Sequence, residues 1–274
     1  MTLQSSGAIS LANVQTEFGG SNPISISEYY GAASGVPTSG TISLSNFYGK
    51  SAAPQEIQRN YFASAYSSSW GLSWSTSGHQ AGNLYILAVF KGKIGSTASG
   101  SIATPSGWTL LQTANWVSSS GTVGRMEASL FYRTSVSGSV TITNTGSYEG
   151  QSACLSVWRN ATIKQSTTGG SGNATCNYPP LTSTTNGRYL YWASSAYSAS
   201  SGSEASVIPN LRGCGNNGGI SNWNYTYYAN SANSQIDPYV GMGYNVYPQT
   251  SDPPYNIGSF GGTGQYYSIF GVRL

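Results

Sequence analysis

The first fifty residues repeat one short pattern of apolar and polar positions three times. Residues 9–14 read ISLANV, residues 24–29 read ISISEY and residues 42–47 read ISLSNF. In each copy a serine stands between two aliphatic residues, where its hydroxyl can cap a helix by accepting an unpaired main-chain N–H of the first turn. A glycine follows each copy within a few residues, and glycine readily adopts the left-handed backbone that ends a helix. The pattern therefore predicts three short helical turns.

Two spacings inside these copies support the prediction of helical turns. Leu11, Val14 and Phe18 stand at positions i, i+3 and i+7, which lie on one face of two helical turns. Ser25 and Glu28 have the spacing of a capping box, in which each side chain accepts a main-chain N–H of the other residue. Turns this short cannot bury their apolar side chains alone, so they must pack on each other or on a partner.

We therefore interpret residues 1–53 as an N-terminal anchoring module. The alternative is a plain N-terminal arm rich in small residues, with no role in attachment. The residues expected to make the attachment are the apolar ones of the three copies: Ile9, Leu11, Val14, Phe18, Ile24, Ile26, Ile42, Leu44, Phe47 and Tyr48.

The rest of the chain has the pattern of strands and turns. Residues 54–60 are polar and are predicted to form a linker. Residues 84–90 are all apolar and are bounded by Lys91-Gly92-Lys93, which predicts a central strand buried on both faces. Residues 139–143 alternate between polar and apolar positions, as a half-exposed strand does.

The order of these strand signals recurs in the second half of the chain. The matching segments are 82–88 with 186–193, Pro105 with Pro209, 128–133 with 240–247, and 154–159 with 267–274. Short strands separated by frequent turns are typical of sandwiches. The predicted fold class is all-β, with a small helical module ahead of an antiparallel, jelly-roll-like β-sandwich that has about eight main strands over residues 61–274.

Composition indicates a polar surface that is poor in charge. Only 7% of the residues are charged, and the net charge of +3 is scattered; typical soluble domains have about a quarter of their residues charged. Because there is no Lys/Arg run, no nucleic-acid interface is expected, and because no apolar stretch approaches about 20 residues, no membrane insertion is expected. The N-terminal residues lack the basic and apolar regions of a signal peptide, so synthesis in the cytoplasm without export is expected.

Two parts of the chain resemble structural proteins of tailed-bacteriophage virions. Residues 5–11 (SSGAISL) and 42–51 (ISLSNFYGKS) resemble the N-terminal module of many such proteins. The rest of the chain resembles a β-sandwich domain of phage tail proteins and bacterial surface proteins. The segments that carry this second resemblance are GNL at 82–84, TPSGWTL at 104–110, LFYR at 130–133 and VWRNA at 157–161.

The resemblance implies a structural component of the virion that is attached to other virion proteins through residues 1–53. It implies a tail fibre or adhesin that displays the sandwich to a host-surface glycan or protein, on the tail or the peripheral surface of the particle. An accessory protein of the head, collar or baseplate is the alternative. Because phage fibres are commonly trimers, the resemblance also favours a trimeric homo-oligomer, and the rival is a monomer docked on another virion protein.

Candidate catalytic groups are few and isolated. The eight acidic residues show no paired-carboxylate pattern, and the single histidine, His79, stands in a turn-like sequence. Cys154, Cys176 and Cys214 give neither a closed disulfide set nor a recognisable metal site, and Cys154 is expected to be a small buried residue within a strand. We expect no catalytic residues, no cofactor and no metal site, and the competing hypothesis is a polysaccharide hydrolase.

One segment has the composition of a binding surface. Trp223, Tyr225 and Tyr227 alternate along the chain and would share one face of a strand, with Asn222 and Asn224 on the other face. Aromatic rings supply rigid apolar area with a polar edge, which suits the binding of a sugar ring or a partner protein. The alternative is that these rings fill the core of the sandwich.

Overall fold

The computed structural model describes most of the N-terminal module and the framework of the sandwich. Among the described residues are one α-helix, two 3₁₀ helices and fourteen β-strands. The described ranges are 3–33, 35–65, 67–93, 101–117, 125–146, 150–171, 175–177, 181, 188–197, 224–226, 237–245, 256–259 and 266–274. None of the helices in these ranges has the length and apolar character needed to cross a membrane.

Within the described ranges the helical elements all lie in the N-terminal module, and the strands follow them. The helix α1 spans Leu11–Phe18, and the two 3₁₀ helices span Ile26–Tyr29 and Leu44–Phe47. The first seven strands are β1 (Gln55–Ala65), β2 (Ser69–Ser73), β3 (Leu84–Lys93), β4 (Thr109–Val117), β5 (Arg125–Arg133), β6 (Ser139–Thr143) and β7 (Gly150–Arg159). The next seven are β8 (Gln165–Ser171), β9 (Thr175–Asn177), β10 (Tyr189–Tyr197), β11 (Asn224–Thr226), β12 (Asp237–Asn245), β13 (Asn256–Ser259) and β14 (Tyr266–Arg273).

The strands form two five-stranded sheets and two pairs, and every pairing is antiparallel. The first sheet has the order β1-β7-β3-β5-β4, and the second has the order β8-β14-β10-β12-β11. The pairs are β2 with β6 and β9 with β13. The predicted fold class, an all-β antiparallel sandwich behind a small module with short helical turns, is confirmed.

The two halves of the strand region have the same topology. Each half contains seven strands, β1 to β7 and β8 to β14. In each half, the second strand pairs with the sixth, and the other five strands form one sheet in the same order. The repeat predicted from the sequence is therefore present in the fold, with β10, β12 and β14 as the counterparts of β3, β5 and β7. The fourteen described strands exceed the predicted eight because short polar strands such as β8 and β13 carry no apolar run to reveal them.

The first sheet is the middle layer of the sandwich. Along β3, Leu84 and Ile86 pack against the second sheet, whereas Tyr85 and Leu87 pack against the β2–β6 pair, because successive side chains of a strand point to opposite faces. Residues 84–90 are all buried, which confirms the predicted central strand. The core between the two large sheets contains Leu84, Ile86, Ala88, Phe90, Ala128, Leu130, Cys154, Trp158, Leu190, Trp192, Met242, Phe270, Val272 and Leu274.

The segment predicted as a linker is largely a strand. Residues 55–60 form the first half of β1, which pairs with β7 from Gln55 opposite Arg159 to Ala65 opposite Gly150. The strand reads as polar because it is the edge strand of the first sheet, and edge strands commonly carry polar and charged side chains. The strand region therefore begins directly after Pro54.

Candidate functional site

Each turn of the N-terminal module begins with a cap of the same kind. The serine at the N-cap position donates its main-chain N–H to the side-chain oxygen of the residue three positions later, which satisfies a donor that the turn leaves unpaired. These bonds are Ser10 N to Asn13 Oδ1 at 2.9 Å, Ser25 N to Glu28 Oε1 at 2.9 Å and Ser43 N to Asn46 Oδ1 at 2.8 Å. The predicted helical turns are confirmed. The predicted hydroxyl caps are confirmed at Ser10 and Ser25, whose Oγ atoms accept the main-chain N–H of Asn13 at 3.2 Å and of Ser27 at 3.4 Å, whereas Ser43 is described with the main-chain bond to Asn46.

The predicted glycines follow the three turns. Gly19, Gly31 and Gly49 have φ of 84°, 70° and 66°, in the left-handed region that favours glycine. The main-chain N–H of Gly19 donates to Gln15 O at 2.8 Å and so closes the end of α1. Because glycine occupies these three positions, each copy can end its helical turn with a left-handed residue.

One aromatic residue from each copy meets the others in the core of the module. The ring centroids of Phe18, Tyr29 and Phe47 are 6.1, 5.8 and 6.0 Å apart, in tilted and edge-to-face arrangements that aromatic pairs prefer. Val14 and Val36 are buried beside them. The hydroxyl of Tyr29 donates to Gly19 O at 2.7 Å, so its polar end is also satisfied. The three copies thus pack on each other and give the module a core of its own.

The residues predicted to attach the module divide into two groups. Val14 and Phe47 are fully buried and hold the module together, so they have no surface left for a partner. The remaining eight are partly buried: Ile9, Leu11, Phe18, Ile24, Ile26, Ile42, Leu44 and Tyr48. In every copy the two aliphatic residues that flank the N-cap serine belong to this partly buried group, which leaves the module with apolar area that solvent can reach.

The module is fastened to the sandwich at Glu17. This carboxylate is buried and accepts the main-chain N–H of Ala52 at 3.0 Å, while the main-chain oxygen of Glu17 accepts the side-chain amide of Asn160 at 3.2 Å. Asn160 directly follows β7 and has φ of 55°, a left-handed conformation that asparagine tolerates better than most residues. The sequence did not predict this junction, because Glu17 bonds to residues that are distant in the chain and no local pattern marks it.

A cleft of about 590 Å³ lies between the module and the sandwich. Tyr29 and Glu28 line it from the module, and Glu56, Trp158 and Arg188 line it from the strand region. The carboxylate of Glu28 accepts the main-chain N–H of its own N-cap serine, so it already has a structural role. Glu56 is likewise engaged, as its side chain is bound by an arginine of β1. The carboxylates of Glu28 and Glu56 that line the cleft are therefore both engaged in hydrogen bonds within the protein.

The arginine that binds Glu56 also reaches the second half of the chain. Arg59 donates to both carboxylate oxygens of Glu56 at 2.7 and 2.6 Å and to Met242 O in β12 at 3.3 Å. Burial raises the pKa of the neighbouring Tyr61 phenol and of the Cys154 thiol, so both stay protonated at neutral pH. Cys154 is a buried free thiol, which confirms its predicted role as a small core residue.

The predicted aromatic binding strip lies mostly outside the described residues. Trp223, Tyr227 and Asn222 fall outside them, and Asn224 and Tyr225 are described only as backbone of β11. In the second sheet Asn224 stands opposite Met242 and Tyr225 opposite Gly241. The prediction that this segment forms a strand is confirmed for residues 224–226, and the binding role stays a prediction.

The single histidine is bonded to a tyrosine of the core. His79 lies in a turn, as predicted, and its Nδ1 is 2.7 Å from the hydroxyl of the buried Tyr85. Burial lowers the pKa of His79 and raises the pKa of Tyr85, so at neutral pH the ring is neutral and the phenol keeps its proton. Among the described residues no cluster of three or more His, Cys, Asp or Glu side chains could hold a metal ion.

Acidification should destabilise the wild-type protein more than a His79→Gln variant. The unfolded histidine titrates near its ordinary pKa of about 6.5, whereas burial lowers the pKa of the folded His79. The unfolded state therefore takes up a proton first, so the contribution of His79 to stability is complete above about pH 6.5 and is lost as the pH falls below that value. Thermal melting at neutral pH and at about pH 5 measures the difference. Equal losses in the two proteins would show that His79 contributes nothing to the pH dependence.

Comparison with known proteins gives this chain no relative: no protein-family model, no curated protein and no solved structure matches it.

Proposed function

We propose that this chain is a structural, non-catalytic component of a tailed-bacteriophage virion, namely a tail fibre or adhesin. The observation that carries the proposal is the N-terminal module. Three copies of one capped turn close around Phe18, Tyr29 and Phe47, and the resulting unit precedes the β-sandwich in the chain. A small folded unit at one end of a rigid domain is the arrangement expected of an attachment point followed by a displayed body. The resemblance of residues 5–11 and 42–51 to phage modules supports the same assignment.

Attachment would use the apolar area that the module leaves accessible. Ile24, Ile26, Ile42 and Leu44 are partly buried in the module and partly open to solvent. Burying such area against another virion protein contributes about 25 cal/mol per Å² of apolar surface removed from water. The module has few charged side chains that would need to be desolvated in such a contact, which favours a tight and permanent interface.

The sandwich would be the displayed part of the protein. Its middle layer is covered on both faces, which gives a stiff body that can stand clear of the particle surface. The hydrogen bond from Asn160 to the main-chain oxygen of Glu17 joins that body to the module. A host-surface glycan or protein would then bind on the sandwich, and residues 222–227 are the proposed contact.

Residues 1–53 fused to an unrelated soluble domain should be incorporated into phage particles when the fusion is expressed during assembly. The expected result is co-purification of the fusion with particles at a fixed copy number. The matched control is the same fusion with Phe47→Ala, which removes one ring of the module core and should abolish incorporation. If the full chain enters the particle and the intact fusion never does, residues 1–53 are not the anchor.

An accessory role on the head, collar or baseplate is the second candidate, because the same module would serve attachment there. The two roles differ in what the sandwich does. Substitutions in residues 222–227 that leave particles complete but prevent adsorption to host cells support the fibre or adhesin. Unchanged adsorption of particles that lack the whole sandwich supports the accessory protein.

We further propose that the chain assembles as a trimer on the particle, with other virion proteins as partners of the module. Closed homo-oligomers are the usual assemblies of proteins with self-complementary surfaces, and tyrosine, of which the chain has 21, is enriched at interfaces. A reconstruction of the intact particle counts the copies at each attachment site. One copy per site would replace the trimer with a docked monomer.

A further inference from the structure

A row of polar side chains is buried between the first sheet and the β2–β6 pair. Lys91 of β3 stands in register with Glu127 of β5 on one side and with Gln151 of β7 on the other. Lys91 is 0% exposed, Glu127 is 2% exposed and Gln151 is 0% exposed. These side chains share the face of the sheet that the β2–β6 pair covers, because Lys91 has the same parity along β3 as Tyr85 and Leu87.

The end of β6 completes this polar group from the opposite layer. The Nζ atom of Lys91 is 3.0 Å from Glu127 Oε2 and donates to the main-chain oxygen of Thr145 at 3.2 Å. The neighbouring residue, Asn144, is buried, and its side-chain amide donates to Gln151 Oε1 at 2.9 Å and to Ser67 O at 3.0 Å. The carbonyl oxygen of the Asn144 side chain is also buried, and it has no hydrogen-bond partner among the described residues. An amine, a carboxyl group and a carboxamide are therefore buried near one another, because Nζ of Lys91 binds the main chain of the residue after Asn144, and the Asn144 amide binds Gln151, the residue in register with Lys91.

A buried ion pair is a poor way to stabilise a core. Removing a lysine and a glutamate from water costs several kcal/mol for each charge, and apolar side chains of similar volume are often at least as stabilising. Lysine is almost never fully buried unless it is paired; here Lys91 is paired with Glu127, and the buried side-chain oxygen of the nearby Asn144 has no hydrogen-bond partner among the described residues. The grouping has the composition of a reactive site, since it holds a nucleophile, a proton carrier and an electrophile.

We propose that Lys91 and Asn144 join in an isopeptide bond, with Glu127 as the proton carrier. Glu127 first takes a proton from the Lys91 ammonium, whose Nζ is 3.0 Å from Glu127 Oε2, and this frees the lone pair of Nζ. The lone pair of Nζ then attacks Cγ of Asn144, and Glu127 passes its proton to the developing tetrahedral group while it accepts the second amine proton. The bond from Cγ to Nδ2 breaks, and Nδ2 leaves as ammonia. The products are one amide bond, one ammonia and a protonated Glu127, so no oxidant, water or cofactor is consumed.

The position of the bond explains what it would do for the protein. Lys91 lies in the middle layer, whereas Asn144 follows β6 in the covering pair. The bond would tie these two layers covalently at one end of the sandwich. It would also remove the buried charges, since the lysine becomes a neutral amide and the carboxyl group keeps its proton. This inference rests on the buried group alone and does not depend on the proposed virion role.

The mass of the intact, purified full-length protein tests the bond directly. The expected mass is that of the sequence less one ammonia molecule, and tandem mass spectrometry of a proteolytic digest should give a branched peptide that joins Lys91 to Asn144. A protein with the complete sequence mass overturns the proposal. So does a branched peptide that joins Lys91 to Gln151 or to any other residue.

Variants separate the chemistry from folding. Three variants should show the full mass of their sequences, with no loss of ammonia: Lys91→Met, Asn144→Ala and Glu127→Gln. Asn83→Ala is the matched control, because Asn83 is also a buried asparagine and lies outside the polar row, so this variant should still lose one ammonia. Loss of ammonia from Glu127→Gln at the wild-type extent would overturn the role given to Glu127. The wild-type measurement stays decisive even where a variant fails to fold.

Discussion

Replacing Leu84 with alanine should lower the free energy of unfolding by about 2–5 kcal/mol, through the lost burial of the side chain and the cavity left behind. Leu84 is 2% exposed and begins the central strand β3, where it stands in register with Trp158 of β7. Its side chain belongs to the core between the two large sheets, so the cavity would open at the contact of the two repeats. Because both halves of the chain share this core, little of the cavity can collapse without moving a sheet.

Leu110→Ala is the matched control for this prediction. Leu110 lies in β4 of the same sheet but is 43% exposed, so the same substitution should change the free energy of unfolding by no more than about 0.5 kcal/mol. Denaturant unfolding of the three proteins in one buffer gives both differences. Identical curves for Leu84→Ala and the wild type would contradict the placement of β3 at the centre of the molecule.

The sequence predicted this part of the fold because burial on both faces leaves a visible pattern. A strand covered on one side alternates between apolar and polar residues, whereas residues 84–90 are apolar throughout. Residues 186–193 resemble this segment closely enough to predict that the second half of the chain repeats the first. In the structure, β10 is the central strand of the second sheet, as β3 is of the first sheet. The apolar pattern was informative in these strands because burial in the core requires apolar side chains on both faces.

The N-terminal module was predictable for a different reason. Helix caps depend on residues that are close in sequence. The bond between Ser25 and Glu28 could therefore be predicted from their spacing alone, without knowledge of the fold. The meeting of Phe18, Tyr29 and Phe47 is a tertiary contact, and sequence alone left open whether the turns pack on each other or on a partner. The structure resolves that alternative in favour of a shared core.

Polar residues misled the sequence reading wherever their partners are distant in the chain. The polar sequence of residues 54–60 predicts a linker, because nothing local shows that β7 pairs with the segment from Gln55 onward. The sequence likewise predicts that Lys91 bounds a strand, yet β3 continues through Lys93 and Lys91 is fully buried. The ion pair with Glu127 compensates for the burial of the Lys91 charge. Because Glu127 lies in another strand, this pair cannot be predicted from sequence spacing.

Replacing Phe47 with alanine should unfold the N-terminal module while the sandwich stays folded. Phe47 is fully buried, and its ring lies 5.8 Å from Phe18 and 6.0 Å from Tyr29, centroid to centroid. A buried Phe→Ala substitution costs about 3–5 kcal/mol, and a core of this size rarely supplies more than about 3–5 kcal/mol in total. The substitution therefore removes most or all of the stability that the module has.

Hydrogen exchange followed by mass spectrometry reports the two parts of the chain separately. In the Phe47→Ala protein, peptides from residues 3–50 should exchange at unprotected rates, while peptides from β3 and β7 keep their protection. Tyr30→Ala is the control, because Tyr30 is exposed and follows Tyr29 in the sequence without belonging to the core, so the module should stay protected. Unchanged protection in Phe47→Ala would mean that the three rings do not hold the module together. Loss of protection in the module and the sandwich at once would mean that the junction at Glu17 makes them a single cooperative unit, and the module could then not act as a separable anchor.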